Sequence, residues 1–462
     1  MTGNSSTRKK QRREQALAIW RAGVDAVASE RLVTDAVRRF GNCLTVCGHE
    51  IDLNATGQLL VVGAGKAGAG MAAGIERAVG RDIPPGFLGG LVNVPADCVR
   101  PLEFITLHAA RPAGVNEPTE AGVRGTEDIL QRVAALGPKD VCLVLLSGGG
   151  SALLPAPAAG ISLEDKQQVT RLLMHAGASI DELNLVRRNL SRVKGGGLAR
   201  ASNAGKTIGL VISDVIGDPL DVIASGPLLA GSGSRADALA VLERYVETDR
   251  IPPAVRSLLS QPAGETQTTD QVNGAGGEVS IHVIGNNAVA LQAAAAKAEE
   301  LGFAVRSLGS ENRGVAREVG TELADLCLAV RNGNESPLPP CCVLSGGEPV
   351  VHLAQTDGPQ VGGRNQELAV AALLRLADSS AEGITIVSGG TDGEDGPTDA
   401  AGGIADSMVL AEAARLSLNP ADYLAVNNTL PFLEQTGGLI RTGPTHTNVM
   451  DLRVCLVTSA DG

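Results

Sequence analysis

Residues 59–70 read LLVVGAGKAGAG, four aliphatic residues that end abruptly in alternating glycines with Lys66 among them. A short, continuous apolar run that stops on glycine is the pattern of a strand buried on both faces of a helix-covered sheet. The pattern recurs outward along the chain: CLVLLSGGGS at 142–151, IGLVISDVIGD at 208–218, IHVIGNN at 281–287, CVLSGGEP at 342–349 and ITIVSGGTDG at 384–393. Helical segments often follow these runs. The expectation is an α/β fold with a doubly wound, parallel arrangement of strands. Its polar loops should line one or two clefts beyond the carboxyl ends of the strands.

At 462 residues the chain is too long for one ordinary domain. The stretch 261–277 (QPAGETQTTDQVNGAGG) has no apolar periodicity and reads as a linker. It divides the chain into an N-terminal domain over 1–260 and a C-terminal domain over 278–462. Residues 14–40 show helical spacing for one or two amphipathic helices, and RNGNESPLPP at 331–340 reads as a loop. With 44% hydrophobic but only 2% aromatic residues, the cores must be aliphatic and closely packed.

A net charge of -12 argues against a nucleic-acid partner. The one basic tract, Arg8-Lys9-Lys10-Gln11-Arg12-Arg13, reads as a solvated leader before the first helix. Glu14 and Arg21 interrupt any signal-peptide core, and no run of about 18 apolar residues offers a membrane span. The eight cysteines fall singly or inside apolar runs, and Cys43-x3-Cys47 lacks the second pair a zinc site needs. Reduced thiols in the cytoplasm are the expectation. Neither a coiled coil nor an interface stripe is evident, so a homo-oligomer is left open.

The motifs carry the chemistry. Gly63, Gly65 and Gly68 satisfy a dinucleotide-type G-x-G-x-x-G, but the acidic residue that would bind ribose is missing from Leu91-Val-Asn-Val-Pro95. Ala67 after Lys66 excludes a Walker A loop. What remains is a glycine turn at a helix start with an ammonium inside it, suited to a phosphate or carboxylate at Gly65 and Lys66. Ser147, Gly148, Gly149, Gly150 and Ser151 form a backbone nest open to phosphate oxygens. Asp214 and Asp218, after the 208–213 run, could divide metal binding and orientation of an attacking hydroxyl. Lys194 beside three glycines is a further anion candidate, whereas Arg187 and Arg188 read as a charged helix face. Arg364, after paired glycines at a helix start, is placed to grip a carboxylate or phosphate in bidentate fashion. The acidic loop containing Asp392 reads as a magnesium-nucleotide loop or a substrate-facing turn, without EF-hand spacing. His446 has no partner serine or cysteine motif, so no catalytic triad is expected.

In this order the segments GAGKAGAGMA, LSGGGSALL, NLVRRNLSRVKGGGLA, ISDVIGDPLDVIASGP, LSGGEPVV, GGRNQELAVAAL, VSGGTDGEDGPTDAAGG and GPTHTNVMDL resemble the class II glycerate 2-kinases, whose C-terminal portion is the MOFRL domain. The resemblance runs from about residue 15 to 458. It implies a larger Rossmann-like N-terminal domain, a smaller α/β MOFRL-type C-terminal domain and an active site between them. It also implies ATP- and divalent-metal-dependent phosphorylation of D-glycerate to 2-phosphoglycerate, and it carries catalytic roles onto Lys66, Asp214 and Arg364. One segment departs: many members have a GHPVPD-like sequence where this chain reads HAARPAGVNEPT from His108.

The expected mechanism is in-line transfer, with the 147–151 nest, Lys66 and Lys194 on the triphosphate and Mg2+ held by Asp214 and Asp218. Arg364 would hold the glycerate carboxylate or the moving phosphoryl group. Two rivals stand beside it: an NAD(P)H-dependent hydroxypyruvate reductase and a non-catalytic sensor of a sugar acid or phosphate.

Overall fold

The computed structural model describes residues 2–115, 117–261 and 277–459. The chain forms two compact units, Ser29–Gly285 and a discontinuous one made of Met1–Ala28 with Asn286–Gly462. The expected linker at 261–277 lies outside the described residues apart from its two ends.

The unit Ser29–Gly285 opens with a helix, Ser29–Ala36, and an antiparallel meander of β1 (Val37–Phe40), β2 (Cys43–Val46) and β3 (His49–Asp52). Its main sheet contains β4 (Leu59–Ala64), β5 (Leu88–Pro95), β6 (Ile105–Arg111), β7 (Val141–Leu146), β8 (Lys206–Ile212) and β9 (Glu278–Gly285). All are parallel, in the order β6-β5-β4-β7-β8-β9. Chain order therefore reverses between β4 and β7, which makes this a doubly wound sheet with its switch point there. Every residue of β4 and β7 is buried. The register sets Ala64 opposite Leu146 and Asn93, so the loops after β4 and β7 leave the sheet side by side.

A helical layer is attached to this sheet. Leu163–His175, Ile180–Asn189 and Arg235–Tyr245 pack with Pro253–Leu259 around Val169, Leu173, Val186, Val241, Leu242 and Val255. The first three each start with a serine capping box: Ser162 with Asp165, Ser179 with Glu182, and Ser234 with Asp237. Reciprocal side-chain bonds satisfy N–H groups that the first turn leaves open, worth roughly 1 kcal/mol per cap.

The second sheet contains β10 (Ala304–Ser307), β11 (Cys341–Gly347), β12 (Ile384–Gly390), β13 (Gly402–Asp406), β14 (Leu439–Ile440) and β15 (Asp451–Val457), in the order β10-β11-β15-β12-β13-β14. Only β10 and β11 pair in parallel, and β15 inserts between β11 and β12 antiparallel to both. The parallel arrangement expected from the apolar runs is thus corrected for this unit. Two-sided burial produces such runs whenever helices cover both faces, whatever the strand direction. Cys341 and Val343 face one core with Leu323, Leu368 and Leu373, while their neighbours Cys342 and Leu344 face another with Ile19, Trp20 and Leu291.

Two further expectations are corrected. The run 281–287 belongs mainly to β9, the edge strand of the first sheet, where Ile281 pairs with Gly209. The first unit therefore extends to Gly285 rather than stopping at 260. The basic tract is not a solvated leader but part of the helix Thr2–Ala26. Arg13 makes two 2.7 Å bonds to Asp406, Arg12 is buried and donates to Thr385 Oγ1, and Lys9 pairs with Glu382. Trp20 anchors the same helix, fully buried, with Nε1 donating to the Leu452 carbonyl at 3.1 Å. The first 28 residues accordingly belong to the second unit. No helix among the described residues is long and apolar enough to cross a membrane.

Candidate active site

In the first unit, the switch point is built from two glycine loops stitched to one another. Gly63 and Gly65 have φ of 155° and 152°, and a side chain would run into Leu145 of β7 from Gly63 or into Ser147 of the loop after β7 from Gly65. Glycine is required at both because backbones meet there. The Lys66 amide donates to the Gly148 carbonyl at 2.9 Å, the Ala67 amide to Ser147 Oγ at 3.0 Å, and the Ser147 amide to the Ala64 carbonyl at 3.2 Å. Lys66 thus stands directly before the helix Gly68–Val79, whose positive end favours an anion.

Gly149 takes the left-handed φ of 76° that opens the nest. A β-carbon placed on it would lie 3.4 Å from Arg111 Nη2 and 3.7 Å from Lys66 Cγ. Two cationic side chains therefore converge on Gly149. Arg111 comes from the end of β6, in the segment where the sequence departs from the resembled pattern. It was not singled out as a site residue, because it reads as a strand-end arginine until the topology is known.

On the other flank of the nest, Lys194 is 4% exposed, and its ammonium donates to the Ser151 carbonyl, Ser151 Oγ and Ser225 Oγ. Ser225 donates in turn to Asn184 Oδ1 at 3.3 Å. The turn that presents Ser225 is constrained, since Ala224, Ser225 and Gly226 all have φ between 51° and 62°. Burial, then Lys166 and Arg187, push the Lys194 ammonium well below its ordinary pKa. The structure thus brings Gly65, Lys66, Ser147, Gly148, Gly149, Gly150, Ser151 and Lys194 to one place.

Asp214 and Asp218 leave the end of β8, the strand beside β7, and both are half-buried. Asp218 has φ of 52°, and its amide donates to the Val215 carbonyl, closing a tight turn. Among the described residues no group of three or more His, Cys, Asp or Glu side chains is clustered as a metal cage.

Arg364 and Asp392 belong to the other unit. Arg364 opens the helix Arg364–Ala377 and binds Asp451 through Nε at 2.7 Å and Nη2 at 3.0 Å, and Glu348 through Nη1 at 2.7 Å. Among the described residues these contacts engage three of its five N–H groups. Burial works against its charge, but Asp451 and Glu348 more than offset that and raise its pKa. Asp451 is fully buried at the start of β15, opposite both Gly347 and Gly390, with Arg453 Nη2 at 3.7 Å. The Asp395 carboxylate accepts from the Asn365 and Gln366 amides, capping the same helix from outside it. Asp392 sits at the end of β12, where its carbonyl accepts from the Thr445 amide.

Glu348 and Arg453 were not singled out in the sequence, and Asp451 stood there only as the end of the polar segment GPTHTNVMD. A signal existed, because the strand DLRVCLV puts Asp451 and Arg453 two apart and hence on one face. Charged residues on the inward side of a buried strand mark a site more often than a surface.

Comparison with known proteins fits this geometry. Residues 15–260 match the domain of unknown function DUF4147, and residues 341–451 match the MOFRL family. A glycerate kinase of Danio rerio is 38% identical, with 96% of this chain and 97% of that protein covered. A D-glycerate 2-kinase of Thermotoga maritima is 37% identical over 87% of this chain and 91% of that one. A protein of Agrobacterium vitis that provisionally carries the name hydroxypyruvate reductase is 38% identical, with 87% of each chain covered. The crystal structure of a Thermotoga maritima glycerate kinase superposes with a TM-score of 0.82 at 35% identity, covering 97% of this chain and all of that one.

Proposed function

We propose, since the chain belongs to the glycerate kinases that join a DUF4147 domain to a MOFRL domain, that it transfers the γ-phosphoryl group of ATP to the 2-hydroxyl of D-glycerate. The observation that carries this reading is the pair of interlocked glycine loops at the switch point, with Lys66 held between them.

Phosphoryl transfer asks little covalent chemistry of the protein and much positioning and charge neutralisation. The 147–151 nest offers amides to phosphate oxygens, and Lys66 brings an ammonium to the same point. Asp214 and Asp218 suit a magnesium ion, which needs only one or two carboxylates when nucleotide oxygens and waters complete its shell. When bound, that ion would neutralise phosphate charge. One of the two aspartates would orient the glycerate hydroxyl and accept its proton. In the other unit, Arg364 would grip an oxyanion while Asp451 and Glu348 fix its orientation.

The reductase reading is disfavoured by Asn93. A ribose-binding carboxylate would stand near the end of β5, but Asn93 there is fully buried and donates inward to Thr126 Oγ1 and the Leu153 carbonyl. The test is phosphorus NMR of the full chain with Mg-ATP and D-glycerate. A new 2-phosphoglycerate signal supports the reading, and a 3-phosphoglycerate signal overturns only the position of transfer. An unchanged ATP spectrum, with NADH oxidised by hydroxypyruvate, sinks the kinase.

A further inference from the structure

The helix Leu163–His175 buries Leu163, Lys166, Val169 and Leu173 along one stripe. Lys166 therefore stands where the helical spacing calls for an apolar residue. It is 6% exposed, and its Nζ has no hydrogen-bond partner. Burying a polar group without a partner is costly, and burying a charge costs more. A lysine kept in such a place needs another explanation than packing.

Its surroundings supply one. Arg187 lies on the neighbouring helix Ile180–Asn189, three residues after Asn184 and so on the same face. Asn184 is bonded to Ser225, Ser225 to Lys194, and Lys194 to Ser151 at the edge of the nest. Burial first and then Arg187 drive Lys166 toward its neutral form, and burial, then Lys166 and Arg187, do the same to Lys194, so the three groups lie close together. No carboxylate is among the groups that offset this for either lysine. Three basic side chains are thus gathered around neutral hydroxyl and amide groups.

We propose that Lys166, Arg187 and Lys194, with Asn184 and Ser225, form an oxyanion subsite that takes the carboxylate of the hydroxy-acid acceptor. The inference rests on the kinase reading. Lys66 and Arg111 converge on the Gly149 flank of the nest, and the three cations gather at the Ser151 flank. A phosphate donor on the first flank and an acid on the second would sit within one short helix turn of each other. Asn184, Ser151 and Ser225 add neutral donors and acceptors that both the carboxylate and the hydroxyl of such an acid can use.

The experiment is steady-state kinetics on the full chain, wild type against Lys166→Met and Lys166→Arg, varying D-glycerate and Mg-ATP separately. Expected for Lys166→Met is a KM for D-glycerate raised by at least about 10-fold with the KM for ATP nearly unchanged, as for loss of a contact to one substrate only. Lys166→Arg should recover most of it. An unchanged D-glycerate KM overturns the subsite, and so does a rise in the ATP KM instead, which would give the cluster to the nucleotide. The rise in thermal midpoint produced by D-glycerate alone reads the same contact without turnover. It should be lost in Lys166→Met and in Arg187→Gln, and its persistence in both counts against the proposal. If wild type makes no phosphoglycerate, the kinase reading has failed; if wild type works and Lys166→Met works equally well, only the subsite has.

Discussion

At the residue scale, the most informative side chains are those whose charge is held against its environment. Lys66→Ala should lower kcat/KM by about 10²-fold or more, the scale of losing a preorganised charge at a phosphoryl centre, with little change in melting temperature. Asp451→Ala acts differently. It leaves Arg453, fully buried, without its carboxylate, and should cost about 3–5 kcal/mol in a denaturant titration. Lys166 makes a prediction in pH. Burial and Arg187 lower its pKa to about 8 from 10.5, so between these values the unfolded chain holds more protons than the folded one. Stability contributed at this site therefore rises from about pH 8 to 10.5, by on the order of 3 kcal/mol, and Lys166→Met should abolish that rise in denaturation midpoints. Lys66 could be read from sequence because glycines mark a place where backbones and anions meet. Arg187 could not: a helix-surface arginine and one turned toward a buried lysine look identical until the second helix is placed.

Elements divide the same way. The glycine loops were legible because Gly63 and Gly65 must accept positive φ and contact with a neighbouring strand or loop, constraints that only glycine meets. Gly65→Ala would force the turn against Ser147 and push its Oγ away from the Ala67 amide, whose hydrogen bond it accepts. The expected result is loss of nucleotide binding by titration calorimetry, with the protein still folded. The direction of β15 was not legible, since a doubly covered strand has the same composition whether it runs with or against its neighbours. Nor was the docking of the helix Thr2–Ala26, because its polar face carries arginines that meet Thr385 and Asp406 rather than water. Trp20→Ala removes the largest side chain of that contact together with its bond to Leu452, and should destabilise the second unit by about 3–5 kcal/mol in thermal or denaturant unfolding.

For the whole molecule, composition located the long polar stretch but not the division between units, which falls at Ala28 and at Gly285. Polar loops report where the chain is exposed. Unit boundaries report which sheet edge accepts the last strand, and β9 completes the first sheet after that stretch, at the free edge of β8. The discontinuous unit has a consequence for biosynthesis. The helix Thr2–Ala26 leaves the ribosome well ahead of β15, against which it packs. At about 5–20 residues per second, Trp20 waits on the order of tens of seconds for its binding surface while the intervening unit is completed. During that interval an apolar helical face is in solution, a target for holdase chaperones and for proteases. Ribosome-stalled chains ending before Asp451 should be cleaved rapidly near Trp20, whereas chains long enough to expose β15 outside the exit tunnel should be protected there.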